Sequence, residues 1–263
     1  GTDDERKPLS ESEKEKLFKN GIHLQNLNFT YHNGDKPALK DISFSIKPGQ
    51  VVGITGKVGS GKTTLINCLN GYLRPDKGQI FFSEKDASNL KSEDIRKIVK
   101  TVSQEVFLFS DTIENNIEFA SEKDIVKDRF EDVIFKSSFA DELARFPMHE
   151  KTMVGEKGIM LSGGQKQRIS LARALYSPGE LLILDDVFSA VDADTERFLI
   201  KQIFDNHAVK SLVVISNRIS VLEKTDFTIV LEDGRMAAKG SHQELMKQSG
   251  FYREILKLQQ EKN

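Results

Sequence analysis

Residues whose types and spacing fit phosphate chemistry lie in the stretch GKVGSGKTT, from Gly56 to Thr64. The stretch matches the pattern G-x-x-x-x-G-K-[ST], and it joins an apolar run, QVVGIT, to a helical pattern, KTTLINCL. Glycines let the backbone wrap around phosphate oxygens, and the first turn of the following helix offers free N–H groups and a positive dipole end. The stretch therefore predicts a nucleoside triphosphate site rather than a plain glycine-rich turn.

Individual side chains in this stretch have separable roles. We expect Lys62 to neutralise the β- and γ-phosphates of the nucleotide, and the Thr63 hydroxyl to ligate Mg²⁺. Asp185, which ends the strand-like run LLILD, is the expected partner of Thr63 at that ion. The residues assigned to nucleotide binding in this stretch are Gly56, Gly59, Ser60, Gly61, Lys62, Thr63 and Thr64.

A second carboxylate, Asp186, follows Asp185 directly in the run LLILDDVFSA. One acid of such a pair can hold a metal ion while the other activates a water molecule for attack. Whether the short side chain of Asp186 reaches that water decides whether the chain is a catalyst alone or one half of a two-subunit catalyst.

A second candidate anion site begins in LSGGQKQRISLARAL, from Leu161 to Leu175. A Ser-Gly-Gly turn runs there into an amphipathic basic helix, so open backbone amides at a helix N-terminus are available to an anion. Two anion sites in one chain are redundant unless the second serves a nucleotide that another chain holds. The residues assigned to this second site are Ser162, Gly163, Gly164 and Gln165.

These motifs, in this order and spacing, resemble the nucleotide-binding domain of ATP-binding-cassette (ABC) transporters, in which LSGGQ is the family signature. Two such domains sandwich two ATP molecules head to tail in that family, so the resemblance implies ATP and Mg²⁺ as cofactors. It covers about residues 22–260, and the sequence around Gln104 together with VGEKGIMLSGGQ (154–165) resembles the exporter branch.

The resemblance assigns further roles residue by residue. Tyr31 resembles the aromatic residue that stacks on adenine, with a tyrosine at a hairpin edge as the alternative. Gln104 resembles the glutamine that reaches Mg²⁺ and lies where the domain meets its membrane partner. Ser189–Asp192 resembles the loop that crosses the dimer interface, and Asp192 is also placed to cap the helix that follows.

Two positions depart from the family pattern. The catalytic carboxylate is normally Glu, whereas Asp186 is shorter by about 1.5 Å. A misplacement of about 1 Å can lower a rate roughly a hundredfold. Asn217 stands after the run SLVVIS where the family has a histidine, and asparagine can donate a hydrogen bond but does not titrate near neutral pH and has a shorter reach. The five histidines all lie elsewhere, at positions 23, 32, 149, 207 and 242.

These departures lead to the hypothesis of an asymmetric heterodimer. This chain is expected to bind MgATP in a weakly hydrolysing site, while its intact signature closes the ATP site of a partner ATPase domain that carries Glu and His. The alternatives are a fully active homodimeric exporter ATPase and a non-hydrolysing, ATP-gated regulatory module. A DNA-handling relative of the same fold is disfavoured because the sequence has no extended heptad run.

Around these sites the sequence predicts an α/β fold: a P-loop NTPase core with a mostly parallel sheet and helices, beside an antiparallel β subdomain. Helical patterns at about 105–175 predict a helical subdomain inserted in that core. Strands are expected at 22–31, 38–46, 50–55, 181–185, 211–216 and 227–232, and helices near 193–206 and 241–261. The last helix begins with Ser241 and Glu244 at capping-box spacing.

Composition sets the wider expectations. The 263 residues are 38% hydrophobic and 30% charged, as in ordinary globular proteins, and the net charge of −2 argues against nucleic-acid binding by bulk electrostatics. Cys68 is the one cysteine and is expected to be a small buried side chain. No apolar run approaches the roughly 18 residues of a membrane span.

The charged stretch 1–20 is predicted to be a solvated arm outside the core, with the ATPase domain over 21–263. Because exporters of this kind usually carry a membrane domain before the ATPase, the arm is interpreted as the remainder of a linker. A separately encoded ATPase subunit is the alternative. Either arrangement implies a position at the cytoplasmic face of the cell membrane.

Overall fold

The computed structural model describes residue 6 and residues 9–32, 34–119, 127–156, 158–189, 191–205 and 208–260. The strands in this part of the chain are β1 Ile22–Phe29, β2 Leu39–Ile46, β3 Val51–Gly56, β4 Ile80–Phe82, β5 Lys85–Asp86, β6 Val99–Val102, β7 Leu181–Asp185, β8 Leu212–Ile215, β9 Phe227–Glu232 and β10 Arg235–Gly240. The α-helices are α1 Glu11–Lys16, α2 Lys62–Leu69, α3 Ser92–Ile98, α4 Ile113–Glu118, α5 Lys127–Lys136, α6 Ala140–Leu143, α7 Gly163–Tyr176, α8 Ala193–Ile200, α9 Ile219–Leu222, α10 His242–Gln248 and α11 Gly250–Gln260.

These strands form two sheets of different kinds. An antiparallel sheet has the order β2-β1-β4-β5, and a six-stranded sheet has the order β10-β9-β3-β8-β7-β6. All neighbours in the larger sheet are parallel except β9 and β10. The predicted α/β fold, with an antiparallel sheet beside a mostly parallel one, is therefore confirmed.

The apolar runs in the sequence become the buried central strands of the larger sheet. Every residue of β8 is buried, and β3 and β7 are buried over most of their length. Such strands have apolar residues on both faces because helices cover both sides of a parallel sheet. The main hydrophobic cluster combines side chains from both sheets with the inward face of α2, including the buried Cys68.

The prediction that residues 1–20 form a solvated arm is wrong for the C-terminal part of that stretch. Helix α1 is followed by Leu17 and Phe18, which are 2% and 3% exposed and belong to the main core cluster. Lys85 forms an ion pair with Glu13 of this helix, with Nζ and Oε1 2.6 Å apart. Two large apolar side chains suffice as an anchor, although they are too few to show a periodic pattern among the surrounding charges.

Between β6 and β7 the described residues form helices joined by loops and contain no named strand. Helices α4, α5 and α7 pack together around a second buried cluster that continues beneath β7 and β8. This is the region where the sequence predicts an inserted helical subdomain. No helix in the described part of the chain combines the length and apolar character that crossing a bilayer requires.

The helix predicted over 241–261 is interrupted. Ser249 is extended, with φ −104° and ψ 117°, so α10 ends at Gln248 and α11 starts at Gly250. The break lets Tyr252 turn into the core, where its hydroxyl lies 3.0 Å from Nδ1 of His242. The predicted capping box of Ser241 and Glu244 is present at the start of α10.

Candidate nucleotide site

Four neighbouring parallel strands bring the predicted site residues to one edge of the larger sheet. In the order β3-β8-β7-β6, the strand ends lead to the Gly56–Thr64 loop, to Asn217, to the Asp185–Asp186 pair and to Gln104. The register aligns them, because Ile215 at the end of β8 is the Cα partner of both Ile54 and Asp185. Ligands of open α/β sheets bind outside such carboxyl ends of strands.

The phosphate loop needs glycine at its two turning points. Gly56 and Gly61 have φ of +155° and +103°. A Cβ at Gly56 would lie 2.3 Å from the carbonyl oxygen of Leu231, and one at Gly61 would lie 2.9 Å from that of Ala38. Both ends of the loop therefore pack closely against neighbouring backbone, which restricts their conformation in the absence of a ligand.

The loop ends in an uncapped helix N-terminus. Gly61 is the N-cap of α2 and offers no side chain, and the first turn contains no acidic residue. The N–H groups of that turn and the positive dipole end therefore suit an anion. Inside the loop, the buried Ser60 hydroxyl has no hydrogen-bond partner among the described residues. An unsatisfied polar atom at this point is consistent with a ligand-binding loop.

Lys62 folds back over the loop. Its Nζ donates hydrogen bonds to the carbonyl oxygens of Gly56 and Lys57, at 2.7 and 2.8 Å. Burial lowers the pKa of Lys62, whereas the charges of Asp185 and Asp186 act in the opposite direction. Since an ammonium group has three donors, the lysine can keep this position and still donate to a phosphate oxygen.

The two carboxylates are partly buried beside that lysine. Burial raises the pKa of Asp185, and the charge of Asp186 raises it further, while Lys62 opposes both effects. Burial also raises the pKa of Asp186, against the Ser189 hydrogen bond and the charges of Arg218 and Lys62. A bound cation would relieve the repulsion between the two acids.

The donor set suits Mg²⁺. Thr63 offers a hydroxyl oxygen, Gln104 an amide oxygen and Asp185 a carboxylate oxygen, and Thr63 and Gln104 are exposed to an incoming ligand. Mg²⁺ prefers oxygen ligands and is usually held by one or two carboxylates together with substrate phosphates. These three residues would hold the ion, which when bound neutralises charge on the phosphates.

Asp186 is held in a left-handed backbone conformation, with φ +54°. Its N–H donates to the carbonyl oxygen of Ile215 at 3.1 Å, and its own carbonyl accepts from the Ser189 N–H and hydroxyl at 3.2 and 2.8 Å. These bonds fix the backbone at the end of β7. The side chain therefore starts from a fixed Cα and has only its own short length with which to reach a ligand.

Asn217 is held from two sides. Its Oδ1 accepts from the hydroxyl of Thr55, a fully buried residue of β3, at 2.7 Å. Its carbonyl oxygen accepts from Nε2 of Gln259 in α11. Neither contact was predicted from the sequence. Thr55 could have been noticed as the polar residue in the apolar run VVGIT, but Gln259 lies 42 residues away and has no local signal.

Tyr31 lies just past the end of β1 rather than within it. Its ring is 45% exposed and meets the ring of Phe29 edge to face, with centroids 5.2 Å apart. Its hydroxyl lies 3.0 Å from Oγ1 of Thr64. The exposed aromatic face is thereby fixed beside the phosphate loop, as stacking on a nucleotide base requires.

The signature residues form an exposed turn at the start of α7. Ser162 and Gln165 make a capping box, in which Gln165 N–H donates to Ser162 Oγ at 3.2 Å and Ser162 N–H donates to Gln165 Oε1 at 2.9 Å. A Cβ built on Gly163 would meet nothing within 4 Å. Arg173 ties this helix to α4, with Nε 2.6 Å from the carbonyl oxygen of Asn116.

The predicted interface loop ends in a helix cap. Oδ1 of Asp192 accepts from the N–H groups of Asp194 and Thr195, both at 3.0 Å, and these hydrogen bonds lower its pKa. The predicted capping role of Asp192 is confirmed. Ala190 of the same loop lies outside the described residues.

Comparison with known proteins places these features in a family. The family model described as "ABC transporter" matches residues 39–189, which is more than half of the chain. A solved structure of a bacterial Atm1-family ABC exporter with ATP bound matches at a TM-score of 0.86 and 30% identity, over 97% of this chain and 43% of that one.

Curated relatives point the same way. The chain is 42% identical to a probable multidrug resistance ABC transporter ATP-binding/permease protein, YheI, of Bacillus subtilis, over 91% of this chain and 41% of the relative. It is 40% identical to the multidrug resistance-like ATP-binding protein MdlA of Escherichia coli, over 88% of this chain and 39% of that protein. The chain thus spans about two fifths of the length of these relatives. It belongs to the ABC transporter family and is an ATPase domain of the exporter type.

Proposed function

We propose that this chain binds MgATP in the site behind Gly56–Thr64, hydrolyses it slowly there, and completes the more active site of a partner ATPase domain. The observation that carries the proposal is the pairing of complete phosphate-binding parts with two altered catalytic positions, Asp186 and Asn217. Such a site holds its nucleotide but is poorly equipped to cleave it.

Binding is supported by the loop and its surroundings. The shape of the loop is fixed by glycines, Lys62 already lies over it, and Tyr31 presents an aromatic face beside it. A preformed site loses little conformational freedom when its ligand binds, and this favours affinity. Thr63, Gln104 and Asp185 are the residues we propose as Mg²⁺ ligands.

Weak hydrolysis is supported by side-chain length and chemistry. In-line attack requires a water molecule held close to the γ-phosphate, and a misplacement of about 1 Å can lower the rate about 100-fold. Asp186 is about 1.5 Å shorter than Glu and extends from a fixed backbone. Asn217 has a side-chain amide in place of an imidazole, and the Oδ1 atom of that amide already accepts a hydrogen bond from the Thr55 hydroxyl.

The partner is inferred from the exposed turn at Ser162–Gln165. The N–H groups of Ser162 and Gln165 are used by the capping box, but the turn lies at a helix N-terminus with Ser162 and Gly163 exposed, where an anion on another molecule can approach it. We propose that this turn closes the ATP site of a second ABC ATPase domain in a head-to-tail heterodimer. The partner would carry Glu and His at the two positions where this chain has Asp186 and Asn217.

The membrane component is proposed from the relatives. YheI is named an ATP-binding/permease protein, and this chain covers 41% of its length. We propose that the natural chain carries a transmembrane domain before residue 1 and that the ATPase domain works at the cytoplasmic face of the cell membrane, where nucleotide binding and hydrolysis drive export of a substrate.

Measuring phosphate release by the purified 263-residue chain, alone and as the Asp186→Glu, Asn217→His double variant, tests the weak site. The double variant should hydrolyse ATP at least about tenfold faster, since it restores reach and a titratable group. Both proteins should bind ATP equally well. A wild-type rate of about 1 s⁻¹ or more, within the ordinary range for enzymes, would instead support a fully active homodimer.

A further inference from the structure

We propose that Thr55 and Gln259 are positioning residues for Asn217, and that together they preset its side-chain amide as a fixed hydrogen-bond donor to the γ-phosphate of ATP. The proposal deepens the function proposed above and rests on it, because it concerns the ligand of the same site. It assigns to the site a preference for ATP over ADP that does not depend on hydrolysis.

Thr55 controls the side chain of Asn217. It is the residue before Gly56 and is fully buried in β3, and its hydroxyl donates to Asn217 Oδ1 at 2.7 Å. An amide group is planar, with its oxygen and nitrogen on opposite sides. Once Thr55 holds the oxygen, the two N–H donors of Nδ2 point away from β3. The rotation of the amide is therefore set by a side chain that is itself immobilised in the core.

Gln259 controls the main chain of Asn217. Its side-chain amide spans the turn between β8 and α9: Nε2 donates to the Asn217 carbonyl oxygen, and Oε1 accepts from the Ile219 N–H at 3.0 Å. On the other side, the N–H of Ser216 donates to the carbonyl oxygen of Ile54 at 3.2 Å. The turn is thus clamped between β3 and the last helix, 42 residues away from Asn217 in sequence.

The consequence is a contact that distinguishes ATP from ADP. Asn217 follows β8, which lies beside β3 and its phosphate loop, and the proposal places its donor at the terminal phosphate of a bound triphosphate. ADP lacks that group. A donor fixed in advance loses little freedom on binding, so its hydrogen bond contributes more to affinity than that of a freely rotating side chain. Because asparagine does not titrate near neutral pH, the contact should be insensitive to pH in that range.

Four proteins test the role of the hydroxyl: the wild-type chain, Thr55→Val, Thr55→Ser and Thr228→Val. Valine has nearly the shape of threonine without its hydroxyl, and serine keeps the hydroxyl. Thr228 is a matched control, because it is fully buried in the neighbouring strand β9 and its hydroxyl pairs with that of Thr225 at 2.9 Å instead of Asn217. The measurement is the dissociation constant for adenylyl imidodiphosphate, a non-hydrolysable ATP analogue, and for ADP, both with Mg²⁺.

We expect Thr55→Val to weaken binding of the analogue by about threefold to tenfold, because the Asn217 amide must then be ordered when the ligand binds, and to leave the affinity for ADP unchanged. Thr55→Ser and Thr228→Val should keep the wild-type ratio of the two affinities. Gln259→Leu, at the partly exposed end of α11, should lower the ratio in the same direction, and it tests the clamp even if Thr55→Val fails to fold.

Wild-type ratios in both Thr55→Val and Gln259→Leu would overturn the positioning role while leaving nucleotide binding intact. An equal loss for the analogue and ADP would also overturn it, since that pattern indicates a purely structural role. If the wild-type chain binds neither nucleotide, the proposed function itself fails, and this inference fails with it. The failures of the two proposals are thus distinguishable.

Discussion

The two turns proposed to bind anions, the phosphate loop at Gly56–Thr64 and the signature turn at Ser162–Gln165, are built differently. The phosphate loop is enclosed at its two ends: Ser60 and Thr64 are buried, and a Cβ at Gly56 or Gly61 would lie within 3.0 Å of the carbonyl oxygen of Leu231 or Ala38, whereas Lys57–Gly59 at its tip are exposed. The signature turn is open, with Ser162 and Gly163 exposed and the Ser162 and Gln165 side chains bonded to each other.

This contrast indicates a division of labour within one chain. An enclosed loop contacts the phosphates with residues of its own chain, so it can select and retain a nucleotide without a partner. An open turn contacts an anion from one side only, and the contacts on the other side must come from a second molecule. The difference supports a head-to-tail pairing, in which each chain holds a nucleotide at its own phosphate loop and closes its partner's site with its signature turn.

The largest effect is expected from a substitution that removes the Lys62 charge of the enclosed loop. Lys62→Ala should weaken ATP binding by about 100-fold, because it deletes a charge-assisted contact to phosphate within a partly buried site. Lys57→Ala is the matched control: this lysine belongs to the same loop but is exposed, with its Nζ 6.0 Å from the centroid of the Phe251 ring.

Titration of both variants with a non-hydrolysable ATP analogue gives the answer. Near wild-type affinity is expected for Lys57→Ala. Unchanged affinity in Lys62→Ala would mean that the phosphates bind elsewhere, and it would remove the basis for calling this loop the self-sufficient member of the pair.

A second test compares the effect on stability of a glycine-to-alanine substitution in each turn. Gly61→Ala should destabilise the fold by about 2 kcal/mol, because its φ is +103° and a Cβ would lie 2.9 Å from the carbonyl oxygen of Ala38. Gly163→Ala should leave the free energy of unfolding unchanged or slightly higher. This residue is the first of α7, and its Cβ would meet nothing within 4 Å.

Chemical denaturation of both variants checks this difference directly. The functional counterpart is a mixture with a partner ATPase domain, in which Gly163→Ala should bind its own ATP normally and yet stimulate the partner less than the wild type does. Equal destabilisation by the two substitutions would show that the signature turn is as enclosed as the phosphate loop.

The phosphate loop could be predicted from sequence because its glycines mark the positions where the backbone turns tightly. Glycines at fixed spacing after an apolar run predict a strand, a tight loop and a helix, and β3 and α2 fall where expected. Strand β6, with the sequence VKTV, was not predicted, because half of its residues are polar and its strand character comes from pairing with β7. Short strands of this kind depend on tertiary context.

The contacts around Asn217 show the same limit within the site. The residue itself was noticed because the family has histidine there, but its partners are set by packing between elements that are distant in sequence. Thr55 contacts it from β3, the strand next to β8, and Gln259 reaches it from the last helix. A pattern of residue types along the chain contains no information about which helix will pack over a given turn.

The smallest expected effect concerns Asp185, the proposed Mg²⁺ ligand beside the phosphate loop. Burial, together with the charge of Asp186, raises the pKa of Asp185 above its ordinary value of 3.8. The folded state therefore binds this proton more tightly than the unfolded state, so the free energy of unfolding falls as pH rises through the range between the two pKa values, and the destabilisation is largest above that range. Asp185→Asn should then raise the melting temperature of the nucleotide-free chain at pH 7 by about 2–4 °C.

The gain should be smaller at pH 4 than at pH 7, because the folded wild type takes up a proton at Asp185 more readily than the unfolded chain as the pH falls. Asp192→Asn is a control of opposite sign, because hydrogen bonds lower the pKa of that exposed carboxylate, and it should give no gain at pH 7. MgATP should stabilise the wild type more than Asp185→Asn, since a ligand stabilises in proportion to its affinity for the folded state. If the Asp185→Asn protein melts at or below the wild-type temperature at both pH values, the charged Asp185 does not destabilise the nucleotide-free chain, and a cation has no repulsion to relieve there.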